Sequence, residues 1–130
     1  MPTPKKSKAK LKKELDALFS KYIRNFYAVN GEVQCYTCGQ WKPVKSMQNG
    51  HFLSRSHLSI RFDPRNCRPQ CFQCNVYNYG RTGEFGGKLE EETPGVVQDL
   101  IKKSRELTID YPYEQEIAKY KAILKKNGWL

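Results

Sequence analysis

Apolar residues recur at spacings of three and four from Leu11 onward. Leu11, Leu15, Leu18, Phe19, Tyr22, Ile23 and Phe26 draw one stripe, the pattern of an amphipathic helix. Lys12, Lys13, Lys21 and Arg24 fall on the other face, which is either simply solvated or turned toward a polyanion. Residues 1–10, rich in proline and lysine, are expected to lack fixed structure, and Asn30-Gly31 to stop the helix. Beyond it the period shortens. Glu32 to Cys35 reads as a short strand, and Trp41, Val44 and Met47 as apolar positions in a long loop. His51-Phe52-Leu53 reads as a first core strand. Leu58, Ile60 and Phe62 alternate with Ser59, Arg61 and Asp63, the period of a second, half-buried strand. Asp63-Pro64 supplies a turn, and a short helical or loop segment follows from Asn75 to about Gly80.

The order is thus strand, strand, helix. Residues 80–87 hold four of the nine glycines and read as a loop. Thr93 is placed to cap a helix with Pro94 at its first position, carrying Val96, Val97, Leu100 and Ile101. Tyr111-Pro112 breaks the chain before a last helix from Tyr113 to Asn127, stopped by Gly128. The class expected is α+β, with a basic tail and amphipathic helix at 1–30, a small core at 31–87 and C-terminal helices at 88–130.

Composition sharpens this outline. Hydrophobic residues make up 38%, below the ~45–50% of ordinary domains, so a small core here gains from a staple. Cys35-Tyr36-Thr37-Cys38 and Cys71-Phe72-Gln73-Cys74 lie 32 residues apart. Paired C-x2-C knuckles at such spacing read as a four-thiolate structural zinc site. A disulfide framework is the other reading, and the absence of an apolar leader in Met1–Lys13 weighs against it. The setting expected is therefore cytoplasmic. Cys67 lies outside both knuckles and reads as a small buried residue. Four protein ligands leave such a zinc no open position, so chemistry falls to what it holds in place: His51, Asn66 and Asn75. A net charge of +10 suits a nucleic-acid partner, and no apolar run approaches the ~18 residues of a membrane span.

Gly50-His51-Phe52-Leu53-Ser54-Arg55-Ser56-His57-Leu58, Arg61-Phe62-Asp63, Asn66 and Gln70-Cys71-Phe72-Gln73-Cys74-Asn75 together resemble the phage NinG/Rap recombination endonucleases. These belong to the wider HNH, or ββα-metal, nucleases. The zinc-held arrangement is also similar to that of phage endonuclease VII. The similarity covers roughly residues 33–85. Gly80, Glu84 and Phe85 echo a Gly-Asn-x-x-Glu-Tyr segment of NinG relatives, with Arg81 in place of the asparagine.

The resemblance implies a zinc-stapled ββα-metal core held by Cys35, Cys38, Cys71 and Cys74. It implies His51 as general base, a task that a side chain with an ordinary pKa near ~6.5 suits. Asn75 would ligate a catalytic Mg²⁺, with Mn²⁺ as a substitute, and Asn66 would brace the base strand across the loop. Many HNH relatives carry an acidic residue where this chain has Gly50; the Asp-Arg-Gly-His nucleases, in which a lone asparagine holds a hydrated ion, look more similar. His57 is left open as a ligand, a phosphate contact or a plain strand residue. Arg55, Arg61 and Arg65 are candidates for phosphate contacts, with Lys12 and Lys13 on the helix.

The function expected is a metal-dependent DNA endonuclease selective for branched recombination intermediates such as Holliday junctions and flaps. A non-catalytic zinc-stapled nucleic-acid-binding module is the alternative, and a zinc-dependent protein-interaction module a third. Two symmetric cuts across a junction would favour a homodimer, for which the N-terminal stripe could supply the surface.

Overall fold

The computed structural model describes residues 5–130. The first helix, α1, spans Lys8–Phe26. It begins inside the stretch expected to lack structure, because Ser7 is its cap: Ser7 Oγ accepts from Lys10 N at 3.2 Å, satisfying a backbone donor that the first turn leaves free. Residues 1–4 of that stretch lie outside the described residues. The apolar stripe of α1 packs on the last helix, α5, Tyr113–Asn127. Leu15, Phe19 and Ile23 meet Ile117, Tyr120 and Leu124 in one cluster. Phe19 stands edge-on to Tyr120 at 5.3 Å and to Phe62 at 5.9 Å, the preferred aromatic geometry. The surface that could have met a second copy is thus covered within the chain.

α1 stops at Phe26, short of Asn30-Gly31. Those two residues, at φ 51° and 80°, form a hairpin turn instead, in which Val29 and Glu32 exchange both backbone bonds at 2.7 and 3.1 Å. A two-residue turn with both φ values positive matches the twist of the flanking chain. Strand β1, Glu32–Gln34, then pairs antiparallel with β2, Trp41–Pro43, around the first cysteine knuckle.

A second antiparallel pair joins β3, Gln48–His51, to β4, Cys67–Gln70, in the register Gln48↔Gln70 to His51↔Cys67. His51 therefore ends a strand rather than opening one. Its partner strand is not 58–62, which forms one helical turn, α2, Leu58–Arg61. The alternating pattern arises because this turn lies between two cores. Leu58 and Phe62, four apart, face the α1–α5 cluster, while Ile60 points the other way into a cluster with Phe85, Leu89, Val96 and Leu100. Four residues of alternation cannot separate these cases.

The glycine-rich segment expected as a loop is helical: α3 spans Thr82–Glu92. A Cβ at Gly86 would lie 2.6 Å from the Phe52 ring, so at that position glycine is the condition for packing, not a helix stop. The following helix, α4, spans Val96–Ser104 with Gly95 at its cap. Thr93 and Pro94 precede it. The Glu90 carboxylate does the capping, accepting from Gly95 N at 2.7 Å and Val97 N at 3.3 Å. α5 ends at Gly128, φ 70°. The protein is a mixed α+β structure, with three apolar clusters among the described residues. No helix among the described residues is long and apolar enough to cross a membrane.

Candidate functional site

Two turns bring the knuckles together. Cys35 N donates to Gln40 O at 2.8 Å, Gly39 N to Cys35 O at 3.0 Å, and Tyr36 N reaches across to Pro69 O of β4 at 2.9 Å. The Sγ atoms of Cys35, Cys38, Cys71 and Cys74 all lie within 4.8 Å of one another. Cys38 Sγ and Cys71 Sγ are 3.7 Å apart, close to the ~3.8 Å edge of a tetrahedron with metal–sulfur bonds of ~2.3 Å. Backbone N–H groups of Cys71 and Cys74 donate to the sulfurs of Cys35 and Cys71 at 3.3 and 3.4 Å; burial would raise the Cys35 thiol, but the backbone bonds it accepts outweigh that and bring its pKa down to about 6. This donor set could hold a metal ion such as zinc. Cys67 is fully buried among the apolar residues of the α1–α5 cluster, outside the group.

The second knuckle runs directly into one π turn, Gln73–Tyr77, with Asn78 N donating to Gln73 O at 2.9 Å. Asn75 is thereby turned toward β3, where its Nδ2 donates to Gln48 Oε1 at 2.7 Å. That leaves Asn75 Oδ1 without a protein donor among the described residues. Asn75 and His51 line the same cleft, of about 710 Å³, together with Gln48, Asn49, Arg55 and Tyr79. The opposite wall is α1, through Asp16, Ser20 and Arg24, spaced by four and so on one helical face.

His51 Nε2 lies 2.9 Å from the carbonyl oxygen of Arg61. With the ring proton donated there, the lone pair sits on Nδ1. Burial pushes the His51 pKa below its usual value, against the Arg61 carbonyl bond, and the charges of Arg55 and Arg61 push the same way as burial. The histidine is thus held as the neutral imidazole near neutral pH.

Gly50 precedes His51 for a steric reason. A Cβ there would fall 2.1 Å from Gln70 Oε1. Gln70 is fully buried and cannot swing away, because its Nε2 donates to Thr37 Oγ1 at 3.1 Å and to Gly80 O at 2.9 Å. An acidic side chain directly before the histidine is therefore excluded.

A model of the bacteriophage lambda NinG protein family matches residues 3–127. The chain belongs to this family. No curated protein and no solved structure matches it at a significant level.

In this NinG-family chain the remaining candidates are distributed unevenly. Asn66 is fully buried and bridges the long loop between β3 and β4: its Oδ1 accepts from Leu53 N at 2.9 Å and its Nδ2 donates to Leu53 O at 3.0 Å. It lies behind the cleft and touches it only through the loop it closes. His57 is exposed at the start of α2 and does not line the cleft. Of the three arginines, only Arg55 lines it.

Arg61 gives its guanidinium to Asp16, with Nε at 2.9 Å from Oδ1, and Nη1 to Arg55 O at 2.9 Å. Arg65 is bound to Asp63. Burial alone would raise the Asp63 carboxyl, but bonds from Arg65 and Lys103 outweigh it and hold its pKa at about 2. The Arg61 charge is thus spent inside the fold, whereas Arg65 is half-exposed and shares the single Asp63 carboxylate with Lys103. Lys12 lies four residues before Asp16, on the cleft-facing side of α1, whereas Lys13 falls on another side with Lys10 and Ala17.

The cleft residues not singled out from sequence include Asp16, Ser20, Gln48, Asn49, Val76 and Tyr79, together with Arg24 as a cleft rather than a surface residue. Arg24 donates to the neutral Ser20 Oγ and Val44 O at 3.1 and 3.0 Å. No carboxylate partners it among the described residues, so its charge stays unneutralised at the cleft, like that of Arg55. The i, i+4, i+8 spacing of Asp16, Ser20 and Arg24 was available as a signal. That they border the cleft depends on how α1 crosses β3, which periodicity does not encode.

Proposed function

We propose that this protein is a metal-dependent DNA endonuclease that hydrolyses phosphodiester bonds in branched recombination intermediates. We further propose that β3, β4 and the π turn form a ββα-metal core of the HNH kind. The observation that carries the reading is the joint placement of His51, its Nδ1 lone pair available, and Asn75, its Oδ1 free of protein donors, on one cleft bordered by Arg24 and Arg55.

In this reading His51 Nδ1 takes the proton of a water whose oxygen attacks phosphorus, as the bond to the 3′ oxygen breaks. Arg24 and Arg55 hold non-bridging phosphate oxygens, as bidentate guanidinium donors do. Asp16 is the positioning residue of the set: it grips Arg61, whose carbonyl fixes the His51 ring and whose Nη1 ties down the Arg55 backbone.

The donor set fits a hard divalent cation. Asn75 Oδ1 is a neutral oxygen and Mg²⁺ keeps most of its waters; both Asp16 oxygens are taken by Arg61, so that carboxylate lines the cleft without being a ligand. Bound there, it would supply Lewis-acid stabilisation of the leaving 3′ oxygen. The four cysteines stand apart as the structural zinc site that fixes where Asn75 begins.

Supercoiled plasmid and a synthetic four-way junction, incubated with and without added Mg²⁺, test the reading. The expected result is Mg²⁺-dependent nicking with the junction preferred. Tight DNA binding with no cleavage under any divalent ion would leave a zinc-stapled binding module instead.

A further inference from the structure

Tyr79 is 90% exposed at the mouth of the cleft and sits at φ 53°. Gly80 and Arg81 follow at φ 82° and 45°, so three consecutive residues are left-handed. For a residue with a bulky β-substituent this backbone is costly, and such costs persist where the surroundings enforce them. Here they do. The Gly80 carbonyl accepts from the fully buried Gln70 amide at 2.9 Å, and Arg81 N donates to Asn78 O at 3.0 Å. Gln70 in turn packs against Gly50, the residue before His51, and stands in register with Gln48, which binds Asn75. The turn that displays Tyr79 is therefore built into the same frame as His51 and Asn75.

Nothing among the described residues offsets the cost. The Tyr79 ring pairs with no other aromatic ring and its hydroxyl makes no hydrogen bond among the described residues, whereas its exposed neighbours Phe72 and Tyr77 stand edge-on to each other at 5.3 Å. A large ring left in water on a strained, hydrogen-bonded turn, beside a cleft with two unneutralised arginines, suits a flat apolar partner attached to a phosphate.

We propose that Tyr79 is a stacking platform for an unpaired nucleobase, and so selects DNA whose strands are splayed beside the scissile phosphate. The inference rests on the nuclease reading of the cleft and names what that cleft discriminates. Stacking needs only a π-face and tolerates any base. In an intact duplex both faces of each base are already covered by neighbours. An exposed ring at the cleft mouth therefore engages flaps, junction centres and mismatches, and passes over continuous helix.

Competition binding of a flap with one unpaired base at the branch, and of plain duplex, tests this in buffer with neither Mg²⁺ nor chelator, so that cleavage is absent and the zinc site undisturbed. Tyr79→Gly keeps the left-handed turn without strain, so its melting temperature should equal or exceed wild type. Its affinity for the flap should fall between about fivefold and about a hundredfold, with duplex affinity unchanged. Tyr79→Phe should match wild type. An abasic nucleotide at the unpaired position should weaken wild type by a similar factor and Tyr79→Gly no further.

Full retention of flap preference by Tyr79→Gly, an equal loss on duplex, or a wild-type dimer that this variant abolishes would overturn the proposal. Duplex binding and Mg²⁺-dependent nicking that persist with no dependence on Tyr79 would overturn it alone. Absence of any DNA binding would overturn the nuclease reading with it.

Discussion

Helices α1 and α5 are held by apolar area: Leu15, Phe19, Ile23, Ile117, Tyr120 and Leu124 are all buried between them. The segment carrying His51 and Asn75 is put together differently. Its strands are three or four residues long, its helix is one π turn, and its buried cluster consists of Val33, Met47 and the sulfurs of Cys35, Cys71 and Cys74. Burying a Leu or Phe side chain stabilises by about 1.5–3 kcal/mol, so the helical pair orders itself with contacts of its own. The cysteine segment lacks that area, and ligation at the four cysteines would replace it. The proposed chemistry thus falls on a part of the molecule with little apolar packing, where a bound metal would fix positions that side-chain packing would leave loose.

Breaking the metal side should have the largest effect. Structural zinc binding is itself folding free energy, on the order of 10 kcal/mol in small domains. Cys71→Ser should lose zinc and leave residues 31–81 without fixed tertiary structure. Cys67→Ser should keep a full complement of one zinc per chain. Metal analysis combined with NMR of both variants checks this; a well-folded Cys71→Ser chain lacking zinc would contradict it.

Breaking the apolar side should cost less and leave the metal alone. Leu124→Ala removes a fully buried side chain from the α1–α5 contact and should cost about 2–5 kcal/mol. The melting temperature should drop while zinc content stays at one per chain.

A smaller effect sits at the joint between the regions. Asp63, just before β4, binds Arg65 and Lys103 of α4, and its pKa is held at about 2. A depressed carboxyl contributes stability in full above its unfolded pKa of about 4, and that stability is lost as pH falls through the folded value. The amount is on the order of 2 kcal/mol. Acid unfolding should therefore include a component between about pH 4 and 2 that Asp63→Asn removes.

The smallest effect concerns His51. Burial favours its neutral form, and a general base works only when neutral. The acid limb of cleavage should therefore be centred below pH 6.5. An acid limb centred above 6.5 would contradict that placement.

What the sequence made legible follows the same division. The α1 and α5 stripes were readable because apolar area orders them, and area leaves a period of three and four. The knuckles were readable because metal ligands have a spacing of their own. The element between Leu58 and Phe62 was not, since a helical turn between two cores also alternates, with Ile60 facing one and Phe62 the other. The helix over Thr82–Glu92 was hidden by glycines, of which Gly86 is fixed by the approach of Phe52. At the site, His51 and Asn75 could be named from neighbouring residues. The fates of Arg55, Arg61 and Arg65 could not, because Asp16 and Asp63 decide them through long-range or buried contacts.

On the proposed function, His51 is the base of a hydrolytic cleft whose metal-held frame does not depend on it. Single-turnover cleavage of a branched substrate in Mg²⁺ by His51→Ala, with zinc content and DNA affinity measured on the same preparation, addresses it directly. The rate should fall by about 10²–10⁴, with one zinc per chain and unchanged affinity. Cleavage at the wild-type rate by the zinc-loaded variant would contradict it.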